Sequence, residues 1–189
     1  RLLPSLLQSL ARAAHPQDAF VAFDQFLSGL PAGAQIFSLF ESNPHLVNFI
    51  VDILTSSPDL AQYLGRNRAV FDAVIGGQFF TPWPLKAGLI SDLTKQLTQT
   101  NDYEAALEAA RIWQKEWHFR IGVHHLRGLI DAFEAGRYYA DLACAVIIGV
   151  WPLVQAEFRR KYGAMPGRGA SLVGMGSLGA GALNARSDL

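Results

Sequence analysis

The stretch ASLVGMGSLGAGALNARSDL, residues 170–189, decides how the whole chain is read. It opens with an apolar run, Ser171–Met175, turns at Gly176-Ser177, crosses a Gly/Ala-rich segment and ends Ser187-Asp188-Leu189. The pattern predicts a strand, a Gly-Ser turn and then an acidic strand. Backbone N–H groups at such a turn would cradle a nucleoside triphosphate, because unpaired amides and a helix N-terminus favour negative charge. An acidic strand offers carboxylates at alternate positions of one face, the spacing that holds Mg²⁺ against phosphates. Asp188 is the first such carboxylate, and its expected partner two residues on would lie past Leu189. The chain is therefore expected to be a piece of a longer protein. The competing reading of Gly174, Gly176, Gly179 and Gly181 is a flexible tail or linker.

The wider sequence weighs against a mere linker. GMGSLGAGALNARSDL (174–189) resembles the glutamine-synthetase adenylyltransferase family, whose members carry Gly-x-Gly-Lys-Leu-Gly-Gly followed by Ser-Ser/Ala-Ser-Asp-Leu-Asp-Leu. Gly174, Gly176, Leu178, Gly179, Ser187, Asp188 and Leu189 match that pattern. Ser177 stands where the family usually has lysine, and gives the Gly-Ser of the wider nucleotidyltransferase superfamily. Phe119–Ile147 resembles the paired helices that precede a catalytic domain of this family. Gly29–Ile75 is similar to the helical region joining its two catalytic halves, of which the first removes AMP from glutamine synthetase and the second attaches it.

The resemblance implies a fragment leading into the second, adenylylating domain. Its parent would transfer AMP from ATP to a tyrosine hydroxyl of glutamine synthetase. Gly176 and Ser177 would contact phosphate through backbone and hydroxyl, and Asp188 would be the catalytic metal ligand for Mg²⁺. Glutamine synthetase and a PII-type signalling protein are the implied partners. The chain on its own, with one carboxylate, is expected to be inactive. Two alternatives stand beside this: a helical regulatory or docking module without chemistry, and a part of the deadenylylating half.

Composition is compatible with either. Half of the 189 residues are hydrophobic and 17% are charged, enough apolar surface for a sizeable core. Sixteen basic residues balance sixteen acidic ones, so no positive field points to nucleic acid. The single cysteine, Cys144, excludes an internal disulfide and fits a reducing, cytoplasmic setting as an inert buried thiol. The most apolar segment, Leu142–Val154, is interrupted by Pro152 and falls short of the roughly 20 residues of a membrane span, so no membrane partner is expected.

Before residue 165 the patterning is helical. The expected fold is mainly α: a multi-helix domain over 1–164, then over 165–189 the first strand and Gly-rich loop of an α/β nucleotidyltransferase domain. Phe20, Phe23, Leu27 and Leu30 share one face of a helix, and Leu46, Phe49, Ile50 and Ile53 one face of another. Gly76–Pro84, with its prolines, glycines and aromatics, is the clearest internal break. Leu85, Leu89, Leu93 and Leu97 then recur every fourth residue. Two long helices follow, one from Asp102 to about Ile130, and one over Arg137–Tyr162, with Gly136 between them. His118, His124 and His125 invite a metal reading, but two helical turns separate the first from the last, and surface or capping roles are expected. Trp113 and Trp117 read as a core stripe. Arg120 and Arg127 could reach phosphate, although solvated or ion-paired roles are the plainer expectation.

Overall fold

Three helices of the N-terminal half begin on proline, at Pro16, Pro44 and Pro58. The ring fixes φ near its helical value, and the missing N–H is one that a first turn leaves unbonded anyway. A computed structural model of the chain describes all residues except 1, 29–36, 39, 42–43, 68–69, 71–72, 75–77, 165–166, 168–169 and 188–189. It divides into two compact units, Arg1–Thr81 and Pro82–Leu189.

The first unit holds α1 (Leu2–Ala11), α2 (Pro16–Ser28), α3 (Pro44–Ser56) and α4 (Pro58–Arg66). Helix α3 packs against all three others. Its Val47, Ile50, Ile53 and Leu54 are buried, as are Leu6 and Leu10 of α1, Phe23 and Phe26 of α2 and Leu64 of α4. On α2 the inward face is Ala19, Phe23 and Phe26, while Phe20 points to solvent. The expected stripe is thus rotated by one position. A 3₁₀ turn, Gln78–Phe80, ends the unit with the Phe80 ring edge-on to Phe49 at 5.9 Å.

The second unit is built on α5 (Lys86–Leu97), α6 (Tyr103–Leu126) and α7 (Ala132–Tyr162), with α7 packed along both others. Leu89, Leu93 and Leu97 form the buried stripe of α5, as their spacing predicts, while Leu85 is its exposed N-cap. Asp102 caps α6 by accepting the Ala105 N–H at 2.7 Å. Asp131 and Glu134 close a reciprocal capping box on α7, at 2.8 and 3.0 Å. Helix α6 stops at Gly128, whose φ of +67° turns the chain, with Leu129 N–H on the His124 carbonyl and Gly128 N–H on that of His125.

Two expectations need correcting here. Gly136 lies inside α7, and Arg127–Ile130 makes the break. The expected α/β element is also absent. Among the described residues there is no strand: Ser171–Met175 has no regular structure, and Gly176–Gly179 forms a single helical turn, α8. A strand needs a neighbour for its N–H and C=O groups, and the rest of the sequence is helically patterned. The described fold is all helical.

Helix α7 runs unbroken through Pro152. Among the described residues it is the one helix long and apolar enough, by length and composition, to cross a membrane. Its first half, including Tyr139, Leu142, Ala143 and Ala145, is buried in the core of the second unit.

Candidate functional site

The Gly-rich stretch folds into a tight loop held by its own backbone. Gly176 and Gly181 have φ of +56° and +66°, left-handed values that glycine takes without a Cβ penalty. A Cβ on Gly179 would stand 2.5 Å from the Gly174 carbonyl oxygen, so the loop closes only with glycine there. The N–H groups of Gly179, Ala180 and Ala182 donate to the carbonyls of Met175, Gly176 and Ser177 at 3.1, 2.9 and 2.8 Å. Ser177 is exposed at the start of this turn. The amides of Gly176, Ser177 and Leu178 open it, where the helical ladder supplies no acceptor.

Leu172, Gly174 and Leu178 of the loop face Cys144, Ile148 and Trp151 of α7 across a cleft of about 600 Å³. A half-exposed ion pair at its edge, Lys86 Nζ to Asp141 Oδ1 at 3.5 Å, contributes little to stability in that setting. The Cys144 thiol is half-buried and free.

The loop's far end is seated on the helices. Leu183 is buried in the core of the second unit. Beneath it Gly136 leaves so little room that a Cβ would lie 3.2 Å from the Leu183 carbonyl oxygen and 3.6 Å from Ala182 Cα. The Ala185 backbone hydrogen-bonds the His118 ring, which lies 4.7 Å from the Tyr139 ring. Burial holds the His118 pKa below its ordinary value against that hydrogen bond, and burial pushes the Tyr139 hydroxyl up to about 12. Residues 184–187 close on themselves. Asn184 N–H donates to Ser187 Oγ at 3.0 Å, Arg186 N–H to Asn184 Oδ1 at 2.8 Å, and Ser187 N–H to the Asn184 carbonyl at 3.0 Å.

Of the residues singled out in the sequence, Gly176 and Ser177 thus lie together on the loop, and Asp188 lies outside the described residues. Among the described residues no three His, Cys, Asp or Glu side chains converge as a metal site would require. His124 is buried and His125 exposed, while His118 has the backbone contact just given. Arg120 stacks over Trp117, 4.9 Å from its ring centre, and burial lowers its pKa. Burial, reinforced by the nearby Asp92, raises that of Glu116 one turn before it. Trp113 is fully buried and its indole N–H donates to Asp92 Oδ2 at 2.7 Å. Trp83, from the internal break, stacks on Tyr138 at 4.6 Å and meets Trp117 edge-on at 5.2 Å.

Known proteins place this loop and its helices in one lineage. A sequence model described as glutamate-ammonia ligase adenylyltransferase matches residues 47–189, most of the chain and all of the Gly-rich loop. The chain belongs to the glutamate-ammonia ligase adenylyltransferase family. Relatives named "bifunctional glutamine synthetase adenylyltransferase/adenylyl-removing enzyme" are 38% identical in Brucella melitensis and 39% in Mesorhizobium japonicum, each over 188 residues. One from Xanthobacter autotrophicus is 36% identical over 189 residues. All three alignments cover 100% of this chain and 19% of the relative, so the chain spans about a fifth of these adenylyltransferases. No solved structure matches it significantly.

Sequence reasoning missed the seat formed by His118, Gly136 and Leu183. The spacing rules that found α6 and α7 say nothing about which later segment lies on them. Gly136 was the available signal: a glycine inside a helix costs about 1 kcal/mol against alanine, and such a residue invites a search for something close above it.

Proposed function

We propose that the protein containing these residues transfers AMP from ATP to a tyrosine hydroxyl of glutamine synthetase, and that residues 170–189 open its nucleotide site. The observation that carries this reading is the family match running through the Gly-rich loop to Leu189, together with the motif residues Gly174, Gly176, Leu178, Gly179, Ser187 and Asp188. In the reaction the tyrosine oxygen attacks the α-phosphorus in line. A new O–P bond forms as the α–β bridging P–O bond breaks, the hydroxyl proton is lost, and pyrophosphate leaves. Gly176 and Ser177 bind phosphate through a backbone N–H and the exposed hydroxyl. Asp188 would contribute one carboxylate to Mg²⁺, which would supply neutralisation of charge on the triphosphate. The described residues do not build a metal site by themselves.

The relatives' names carry two opposed activities. The adenylylating half is favoured by the likeness of residues 29–75 to the region joining the halves, since that region precedes the loop here. A PII-type signalling protein is the regulatory partner that goes with this reading. Incubating a full-length family member bearing these residues with ATP labelled at the α-phosphate and with glutamine synthetase should label the latter, and its Asp188→Asn variant should lose that labelling while still removing AMP from pre-adenylylated glutamine synthetase. A variant that keeps the labelling and loses the removal would assign the loop to the other half. Failure of both reactions in the unsubstituted protein would sink the proposal.

A further inference from the structure

The two ends of the Gly-rich loop are held differently. Gly174–Gly181 is closed by backbone hydrogen bonds within itself and touches the helical core through Leu178, whereas residues 182–185 are fastened to two helices by contacts that bracket Asn184. On one side the Leu183 side chain enters the core above Gly136, where a single Cβ would press on the Leu183 carbonyl. On the other the Ala185 backbone is tied to the His118 ring. A hydrogen bond from α6 and an apolar contact with α7 therefore fix the residues on either side of Asn184. Any ring would fill the space beside Tyr139, but only a polar one also binds the segment's backbone. Beyond Ala185 the chain has little freedom, because three hydrogen bonds close 184–187 into one turn. A fixed Leu183 and Ala185 thus carry through to Ser187, the residue before Asp188.

We propose that His118 is a positioning residue: with the Leu183–Gly136 contact it seats on α6 and α7 the segment 182–187, which leads in sequence to the motif carboxylate. The seat stands on the close approach of Gly136 to Leu183, on the burial of Leu183 and on the His118 ring packed against Tyr139. Its catalytic consequence rests on the reading of Asp188 as a metal ligand.

Backbone hydrogen exchange on residues 1–189 tests the seat, comparing wild type with His118→Phe, His118→Gln and Leu183→Ala. Phenylalanine keeps a ring beside Tyr139 and loses the hydrogen bond. Exchange at 183–187 should rise about tenfold or more, with 140–145 in the core of α7 unchanged. Leu183→Ala should give the same pattern, and glutamine, which keeps a donor, should restore part of the protection. Unaltered exchange at 183–187 in both His118→Phe and Leu183→Ala overturns the seat. Should His118→Phe unfold the unit, exchange at 140–145 reports it, and Leu183→Ala, changed on the segment rather than on a helix, decides alone.

In a full-length family member bearing these residues, His118→Phe should lower kcat for adenylyl transfer at least about tenfold, with KM for glutamine synthetase unmoved, and His118→Gln should recover part of it. A segment released with kcat unchanged overturns the positioning role. Exchange needs no chemistry, so a wild type that transfers no AMP strikes the reading of Asp188 and not the seat.

Discussion

Asp188 and His118 make opposite predictions, because one is assigned to chemistry and the other to holding a segment in place. In a full-length family member, Asp188→Asn keeps the size of the side chain and loses its charge. Turnover should fall roughly 100-fold, about 3 kcal/mol of transition-state stabilisation, with the melting temperature unchanged. A lowered melting temperature with normal turnover of the folded fraction would make Asp188 a structural cap instead. For His118 the lever is pH. Its folded-state pKa lies below the ordinary value of 6.5, so the unfolded chain binds the extra proton first as pH falls. The stability it allows is complete above about pH 6.5 and declines below it, towards the depressed folded value. The groups facing it do not titrate there, since the Tyr139 hydroxyl stays neutral and the Ala185 backbone has no charge to change. Thermal unfolding at pH 7.5 and 5.5 should therefore show a loss at the lower pH that is smaller in His118→Gln. An equal loss in both proteins would place the titration elsewhere.

At the scale of elements, Gly149 sets how closely α7 approaches α5. A Cβ there would lie 2.8 Å from Leu93 Cδ2 and 3.2 Å from its Cγ. For Gly149→Ala two terms oppose: about 1 kcal/mol of helix propensity gained, and a methyl group pushed against the end of a flexible side chain. The net change in unfolding free energy should be within about 1 kcal/mol of zero. Gly149→Phe cannot be absorbed that way and should destabilise by about 1–3 kcal/mol in chemical denaturation. A well-tolerated phenylalanine would show that the contact is loose. Elements of this kind were largely legible in the sequence. The leucines of α5 at every fourth residue, Asp102 ahead of α6 and Pro44 and Pro58 at helix starts all carry local signals, and each appears where its signal puts it. The break before α7 was misread because two glycines compete for it. Gly128, behind His124, His125 and Arg127, has the signature of a helix end. Gly136 is explained only by the segment above it, which no local pattern records. The Gly-rich loop was recognisable as a motif, but its strand was not realised, since pairing depends on a partner rather than on the run itself.

For the whole molecule, the division at Thr81–Pro82 predicts separable behaviour. Residues 82–189 expressed alone should give a helical far-ultraviolet spectrum and a cooperative transition, because α5, α6 and α7 bury their apolar faces on one another. Ile50→Ala in the intact chain should cost the first unit about 2–5 kcal/mol without moving that transition. A second unit that melts without cooperativity when isolated would show that the cores are coupled. The division falls within the aromatic break at 76–84, which the sequence offers only as an internal break in a helical domain, and Trp83 belongs to the core that follows.

Helix α7 also has the properties of a lever. Thirty-one residues of α-helix extend about 46 Å. Side chains as far as Leu153 pack against the second unit's core, and from there to Tyr162 roughly 13 Å of rod projects. A tilt of about 5° at the pinned end would carry Tyr162 through more than about 1 Å. The close contact of Gly149 with Leu93 sits near the fulcrum, so a clearance of a few tenths of an ångström there is magnified at the far end.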